Sequence, residues 1–424
     1  MLNLFFRDRC RSLLLPIVVA LVLTQTSGSA SGGDWPQILG PHRNGTAEQE
    51  SLLDTWPKDG PPTVWSAAVG EGFAGVAVKG DLLVLFHRVG DEEIVQGMNA
   101  ADGEVRWKAS SPCSFQAAYS SDAGPRCVPV IADDRVYTFG VAGRLQCLNA
   151  STGQVIWFRD TWKDFSAPEG YFGAGSSPVL HDGRLLVNVG GRQDAAVVAF
   201  DAKSGATLWQ SFDDSASYSS PIVTTVGDNA MAIVVTRLNT VFLNPQDGTV
   251  LGSFAFGMRG PTVNGANPVV MNDHVFVSAS YRVGSAWADL RQLPKEPVLA
   301  GEELLATQYA TPIIHNNLMY AVDGRQDVGT ASLKCLDPAT QKVLWEEGGF
   351  EYGTLLRVND EFLFLTCGGE LIRFDADSQK FVASHRSRIL EDTPRSYRLP
   401  AISHGYLFVR DDAQLKCLHV GPRG

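Results

Sequence analysis

The chain repeats one phrase. Leu145-Gln-Cys-Leu-Asn-Ala-Ser-Thr-Gly-Gln-Val-Ile-Trp157 returns as Val197-Val-Ala-Phe-Asp-Ala-Lys-Ser-Gly-Ala-Thr-Leu-Trp209. It returns again as Leu333-Lys-Cys-Leu-Asp-Pro-Ala-Thr-Gln-Lys-Val-Leu-Trp345, and in shorter form as Gly97-Met-Asn-Ala-Ala-Asp-Gly-Glu-Val-Arg-Trp107. Each copy reads strand, tight turn, strand. A repeat of ~40–50 residues built this way cannot bury its apolar face alone and stacks around a ring. The expectation is an all-β chain, a single β-propeller of four-stranded antiparallel blades.

Small residues ending in Pro open several copies: Gly175-Ser-Ser-Pro178, Tyr218-Ser-Ser-Pro221, Gly265-Ala-Asn-Pro268 and Tyr309-Ala-Thr-Pro312. Asp182-Gly183 and Asn316-Asn317 fit two-residue hairpins. Alignment on these landmarks gives eight blades, of about 44 residues each. They start near Phe73, Arg126, Gly175, Tyr218, Gly265, Tyr309, Tyr352 and Tyr397. The eighth copy ends at Val420 without a closing strand. Thr63–Val69, with Trp65, supplies it and closes the ring. Residues 63–424 are therefore the propeller and 31–62 an N-terminal extension.

Residues 1–30 read as a signal peptide. Arg7, Arg9 and Arg11 precede an apolar run from Leu13 to Leu23, and Gly28-Ser29-Ala30 suits cleavage. No cysteine follows that run to accept a lipid. Export to the periplasm or outside the cell is expected, with no transmembrane helix in the mature chain, which should be a monomer. A net charge of −11 argues against a nucleic-acid partner.

Trp65, Trp107, Trp157, Trp209 and Trp345 recur at one repeat position and are expected to glue blades together, each indole N–H finding a partner. Gly252 and Ala383 replace the Trp in two blades. Cys147, Cys335 and Cys417 share one slot and read as small core residues. Cys113 and Cys127 bracket a loop and are the candidate disulfide in an oxidising compartment. Gln292–Glu303, rich in Pro and Glu, should be an exposed loop.

The repeat resembles that of pyrroloquinoline-quinone (PQQ) dehydrogenases and of BamB, the propeller of the outer-membrane β-barrel assembly machinery, over about residues 64–420. Asp34-Trp-Pro-Gln-Ile-Leu-Gly-Pro-His-Arg-Asn-Gly45 is similar to the opening of exported PQQ-like proteins of planctomycetes. The resemblance to the dehydrogenases implies a vicinal Cys-Cys disulfide and Ca²⁺ held by Glu, Asn and Asp. No two cysteines are adjacent here, and that ligand set does not map onto this chain. No catalytic residue and no metal site is assigned.

Three residues before the Pro slot, the blades read Phe73, Arg126, Gly175, Tyr218, Gly265, Tyr309, Tyr352 and Tyr397, with Arg398 next to the last. Two readings are open. The aromatics pack into a narrow channel, or they line a funnel that binds a ligand, since Tyr and Arg suit hot spots. The leading expectation is a non-catalytic, BamB-like scaffold without cofactor, binding a protein or small ligand at that face. The alternatives are a PQQ- and calcium-dependent oxidoreductase and a periplasmic carbohydrate- or polymer-binding propeller.

Overall fold

A computed structural model describes residues 33–422 except 121, 263, 294 and 392–397, and leaves the side chain of residue 330 undescribed. The expected signal peptide and Tyr397 lie outside the described residues. Eight sheets stand in chain order, each of four antiparallel strands, one of them extended by an N-terminal strand. In the first blade these strands are Ala77–Lys79, Leu82–Val89, Glu92–Asn99 and Val105–Pro112. The fold is the eight-bladed propeller that the repeat dictates. Thr63–Ala68 pairs antiparallel with Gln414–His419, so the last blade takes its outer strand from the N-terminal side of the ring. Among the described residues, no helix is long and apolar enough to cross a membrane.

The five Trp side chains reach from one blade to the next. Each indole N–H donates to a backbone carbonyl in the turn of the following blade: Trp65 to Ala100 (3.0 Å), Trp107 to Ala150 (2.9 Å), Trp157 to Ala202 (3.1 Å), Trp209 to Pro245 (3.2 Å) and Trp345 to Asp377 (2.7 Å). The rings of Trp65, Trp107, Trp157 and Trp209 also cover a turn glycine of that neighbour. Gly153 has φ +71°, and a Cβ there would lie 2.4 Å from the Trp107 ring. Both the turn and the stacking therefore require glycine.

Within its own blade each Trp faces a small residue on the third strand: Gly97, Cys147, Ala199, Cys335 or Cys417. Where the Trp is missing, the partner is large. Gly252 faces Phe242 and Ala383 faces Phe374. The fifth blade puts Trp287 on the third strand, opposite Val298. One aromatic per blade thus fills this layer from either of two strands, which conserves packed volume. The recurring cysteines are small because a Trp lies across from them.

All six described cysteines are free, which corrects the candidate bond between Cys113 and Cys127. The two thiols are buried in different clusters. Cys127 packs with Val130, Tyr137 and Leu145 and accepts the Phe139 N–H at 3.3 Å, whereas Cys113 packs with Phe115 and Val141. In the fifth blade the Gln292–Glu303 stretch carries a three-residue outer strand, Val298–Ala300, with Leu299 69% exposed.

The extension is structural throughout its described length. Trp35 exchanges two 2.8 Å backbone hydrogen bonds with Val78, and Pro36 O accepts from Ile131 N–H. The chain then turns at Gly40, whose φ of +81° lets it pass over the Trp35 ring. Arg43 is buried and donates to Ser177 O, Pro178 O and Gln37 Oε1, each at 2.9 Å. Thr46–Ala47 pairs parallel with the inner strand Gly353–Val358 of the seventh blade. Trp56 and Leu53 then bond to Val420 O of the eighth blade. The segment therefore ties together blades on opposite sides of the ring.

Candidate functional site

The inner strands are held in register at one mouth of the channel. Val128 N–H donates to Ser177 Oγ, Ser177 N–H to Ser220 Oγ, Ser220 N–H to Asn267 Oδ1 and Asn267 N–H to Thr311 Oγ1, at 2.8 to 3.0 Å. Every one of these residues immediately precedes the repeat's Pro. A Pro fixes the extended backbone before it, so each N–H points at the neighbouring blade. The small polar residues of the Ser-Ser-Pro and Ala-Asn-Pro signatures are this relay. Sequence reading registered the residues but not their bonds.

Above the relay lies a cavity of about 1050 Å³. Phe73, Arg126, Tyr218 and Tyr309 of the anticipated ring line it, with Gly175 and Gly265 as the gaps between them. Ile38 and Leu39 of the extension also line it. The extension thus stands inside the channel, and the mouth opens into a cup with this segment as part of its wall.

Two members of the anticipated ring serve the framework. Tyr352 is 1% exposed. Its hydroxyl pairs with Thr307 Oγ1 at 2.7 Å and accepts the N–H groups of Gln308, Tyr309 and Ala310 at 2.9 to 3.0 Å. Burial pushes its phenol up to about 12. Arg398 is likewise enclosed, donating to Gly72 O at 2.8 Å and pairing with Asp122 and Asp412. Neither faces the cup. Tyr397 lies outside the described residues.

Three aromatics that position in the repeat does not reveal complete the cup: Tyr119, Phe172 and Tyr281. Tyr119 and Phe172 ride on the connections from the first to the second blade and from the second to the third. Their unusual length was the available signal. Phe172 meets Tyr218 edge-on at 5.7 Å and donates its N–H to the Tyr218 hydroxyl at 3.1 Å. Tyr119, 63% exposed, lies 6.3 Å from Phe172. Across the cup, Tyr281 accepts from Gln308 Nε2 at 2.6 Å, and Arg325 stands over its ring at 4.1 Å. Arg325 is itself paired with Asp327. Arg126 and Arg398 both stand 5.1 Å from the Phe73 ring. Burial raises the phenols of Tyr218 and Tyr281, so both remain neutral hydrogen-bonding groups at physiological pH.

A family model described as outer membrane protein assembly factor BamB matches residues 90–347. The chain belongs to this BamB-like family of PQQ-repeat propellers. It is 24% identical over 302 residues to BamB of Moranella endobia (strain PCIT), covering 67% of this chain and 74% of that protein. It is 30% identical over 129 residues to the quinohemoprotein alcohol dehydrogenase ADH-IIG of Pseudomonas putida. That match covers 29% of this chain and only 17% of the dehydrogenase. Among solved structures, BamB of Moraxella catarrhalis superposes with a TM-score of 0.61 at 13% identity, over 84% of this chain and 96% of that one. A europium-containing methanol dehydrogenase gives 0.65 at 11% identity, with 89% of each chain covered. These superpositions establish the common fold.

A calcium-bound quinone would need a cluster of oxygen ligands in the cup. Ca²⁺ takes 6–8 oxygen ligands. Among the described residues, no three His, Cys, Asp or Glu side chains group closely enough to hold a metal ion. The carboxylate in the cup wall, Asp327, is engaged by Arg325.

Proposed function

We propose that this chain is an exported, non-catalytic binding propeller of BamB type, working without PQQ or calcium and holding a segment of a partner protein in the aromatic cup. The observation that carries this reading is the cup itself, with amphipathic rings on a hydrogen-bonded rim. Tyr gives large contact area with a polar handle at low entropic cost, and Arg adds a charged donor, which is the composition of binding hot spots. Membership of a family described as an assembly factor for outer-membrane proteins favours a protein as the occupant. The signal peptide expected from the sequence supports a partner outside the cytoplasm.

A displayed library of random peptides, selected on the purified protein, tests the reading. Enriched peptides should lose at least about tenfold in affinity for Tyr119→Ala/Tyr309→Ala, since an aromatic anchor that a ligand buries on binding is worth 2 kcal/mol or more. No enrichment, or equal affinity for the variant, would refute it.

A further inference from the structure

Beside the cup, between the third and fourth blades, lies a second crevice of about 630 Å³. It shares Tyr218 and Thr262 with the cup. Three arginines from three separate loops line it: Arg192, Arg237 and Arg259. Such a convergence stands out in a chain whose net charge is −11.

The carboxylates there do not cancel it. Asp214 is used by the fold, its Oδ2 accepting from Thr236 Oγ1 (2.7 Å), Leu238 N–H (2.8 Å) and Asn239 Nδ2 (2.9 Å). Glu169 and Asp213 are exposed, where solvent screens them. Arg237 uses Nη2 on Gly260 O and on Thr262 Oγ1 (2.8 Å), but its buried Nη1 has no hydrogen-bond partner. A buried charged donor left unpaired is costly, and an anion seated in the crevice would satisfy it. A guanidinium fork is the side chain best matched to a planar or tetrahedral oxyanion. Tyr218 lines both spaces, so the crevice and the cup meet at its side chain.

We infer that the crevice is an oxyanion subsite, taking a carboxylate, sulfate or phosphate group of the molecule that the cup holds. That linkage rests on the cup being a binding site. The anion site itself is tested alone. Sodium sulfate, phosphate and succinate are titrated into the whole protein at constant ionic strength set with NaCl. Trp162, which lines the crevice, serves as fluorescent reporter, with thermal stabilisation in parallel.

One saturable site is expected, weakened at least tenfold in Arg192→Ser/Arg259→Ser. Both side chains are exposed, so this variant keeps the fold. Arg237→Gln should abolish the site. Tighter binding of succinate would point to a carboxylate ligand, and tighter binding of the tetrahedral ions to a sulfate or phosphate ester. No saturation beyond the NaCl control, or equal binding by the double variant, would overturn the inference. Anion binding that persists when cup variants fail to affect peptides would sink the cup reading alone.

Discussion

Replacing Tyr352 by Phe separates the framework from the site. The hydroxyl is buried and serves three N–H groups and Thr307 Oγ1. One oxygen with two lone pairs cannot form three full-strength bonds, so its loss equals one to two buried hydrogen bonds. At about 1–3 kcal/mol for each donor left unsatisfied, the cost is about 2–4 kcal/mol. A folded body spanning residues 33–422 unfolds with roughly 2.1 cal/mol/K per residue, or about 0.8 kcal/mol/K. The melting temperature should therefore fall by about 3–5 °C in scanning calorimetry. Hydrogen exchange should quicken at residues 308–310, next to Tyr309. Tyr119→Ala, at an exposed ring, should move the melting temperature by about 1 °C or less. A Tyr352→Phe protein that melts within about 1 °C of the parent, with those amides still protected, would refute the argument.

Other consequences follow from the same geometry. Burial of Glu93 pushes its carboxyl up to about 7 despite the hydrogen bond from Val141 N–H. The native protein then keeps a proton that the unfolded chain releases near pH 4.5. The stability this contributes is complete below that pH, declines towards pH 7 and is flat above, by roughly 3 kcal/mol in all. Glu93→Gln should match the parent near pH 4.5 and exceed it at pH 8, as denaturant unfolding at both values will show; a pH-independent difference would contradict this. Arg43→Met strands two buried carbonyls in the channel, so hydrogen exchange should rise in residues 35–45 before it rises in the blades. Trp209→Gly should cost about 3–5 kcal/mol, and adding Ala199→Phe should recover a good part by copying the Phe242–Gly252 arrangement. Strictly additive losses would show that the two strands do not share one packing layer.

The blade count and ring closure were legible because each copy carries its own turn glycine and Trp, and because Trp65 marks the misplaced strand. The aromatic ring was legible only in part. Tyr309 and Tyr352 occupy the same repeat position, yet one lines the cup and the other lies beneath the 307–310 turn. A repeat position fixes depth along a strand but says nothing about which loop folds over it. The extension escaped for a different reason: it occurs once, so no periodicity reveals that Arg43 and Leu39 reach into the channel. Tyr119 and Phe172 sit in connections between blades, where length, not pattern, was the only sign, and Tyr281 sits in the short hairpin turn between Ala279 and Gly284, which gave none. The pairing of Cys113 with Cys127 failed because proximity to one loop does not place two side chains in one cluster.

The most direct test of the central claim, that the cup is a binding site for a partner and not a quinone centre, is calorimetric titration of the protein with PQQ and Ca²⁺, with melting temperature followed in parallel. Any specific ligand of the native state must stabilise it by mass action. The account predicts no saturable heat and an unchanged melting temperature. Saturable binding with stabilisation, lost in Tyr309→Ala and Arg325→Ala, would contradict it and make the cup a cofactor pocket.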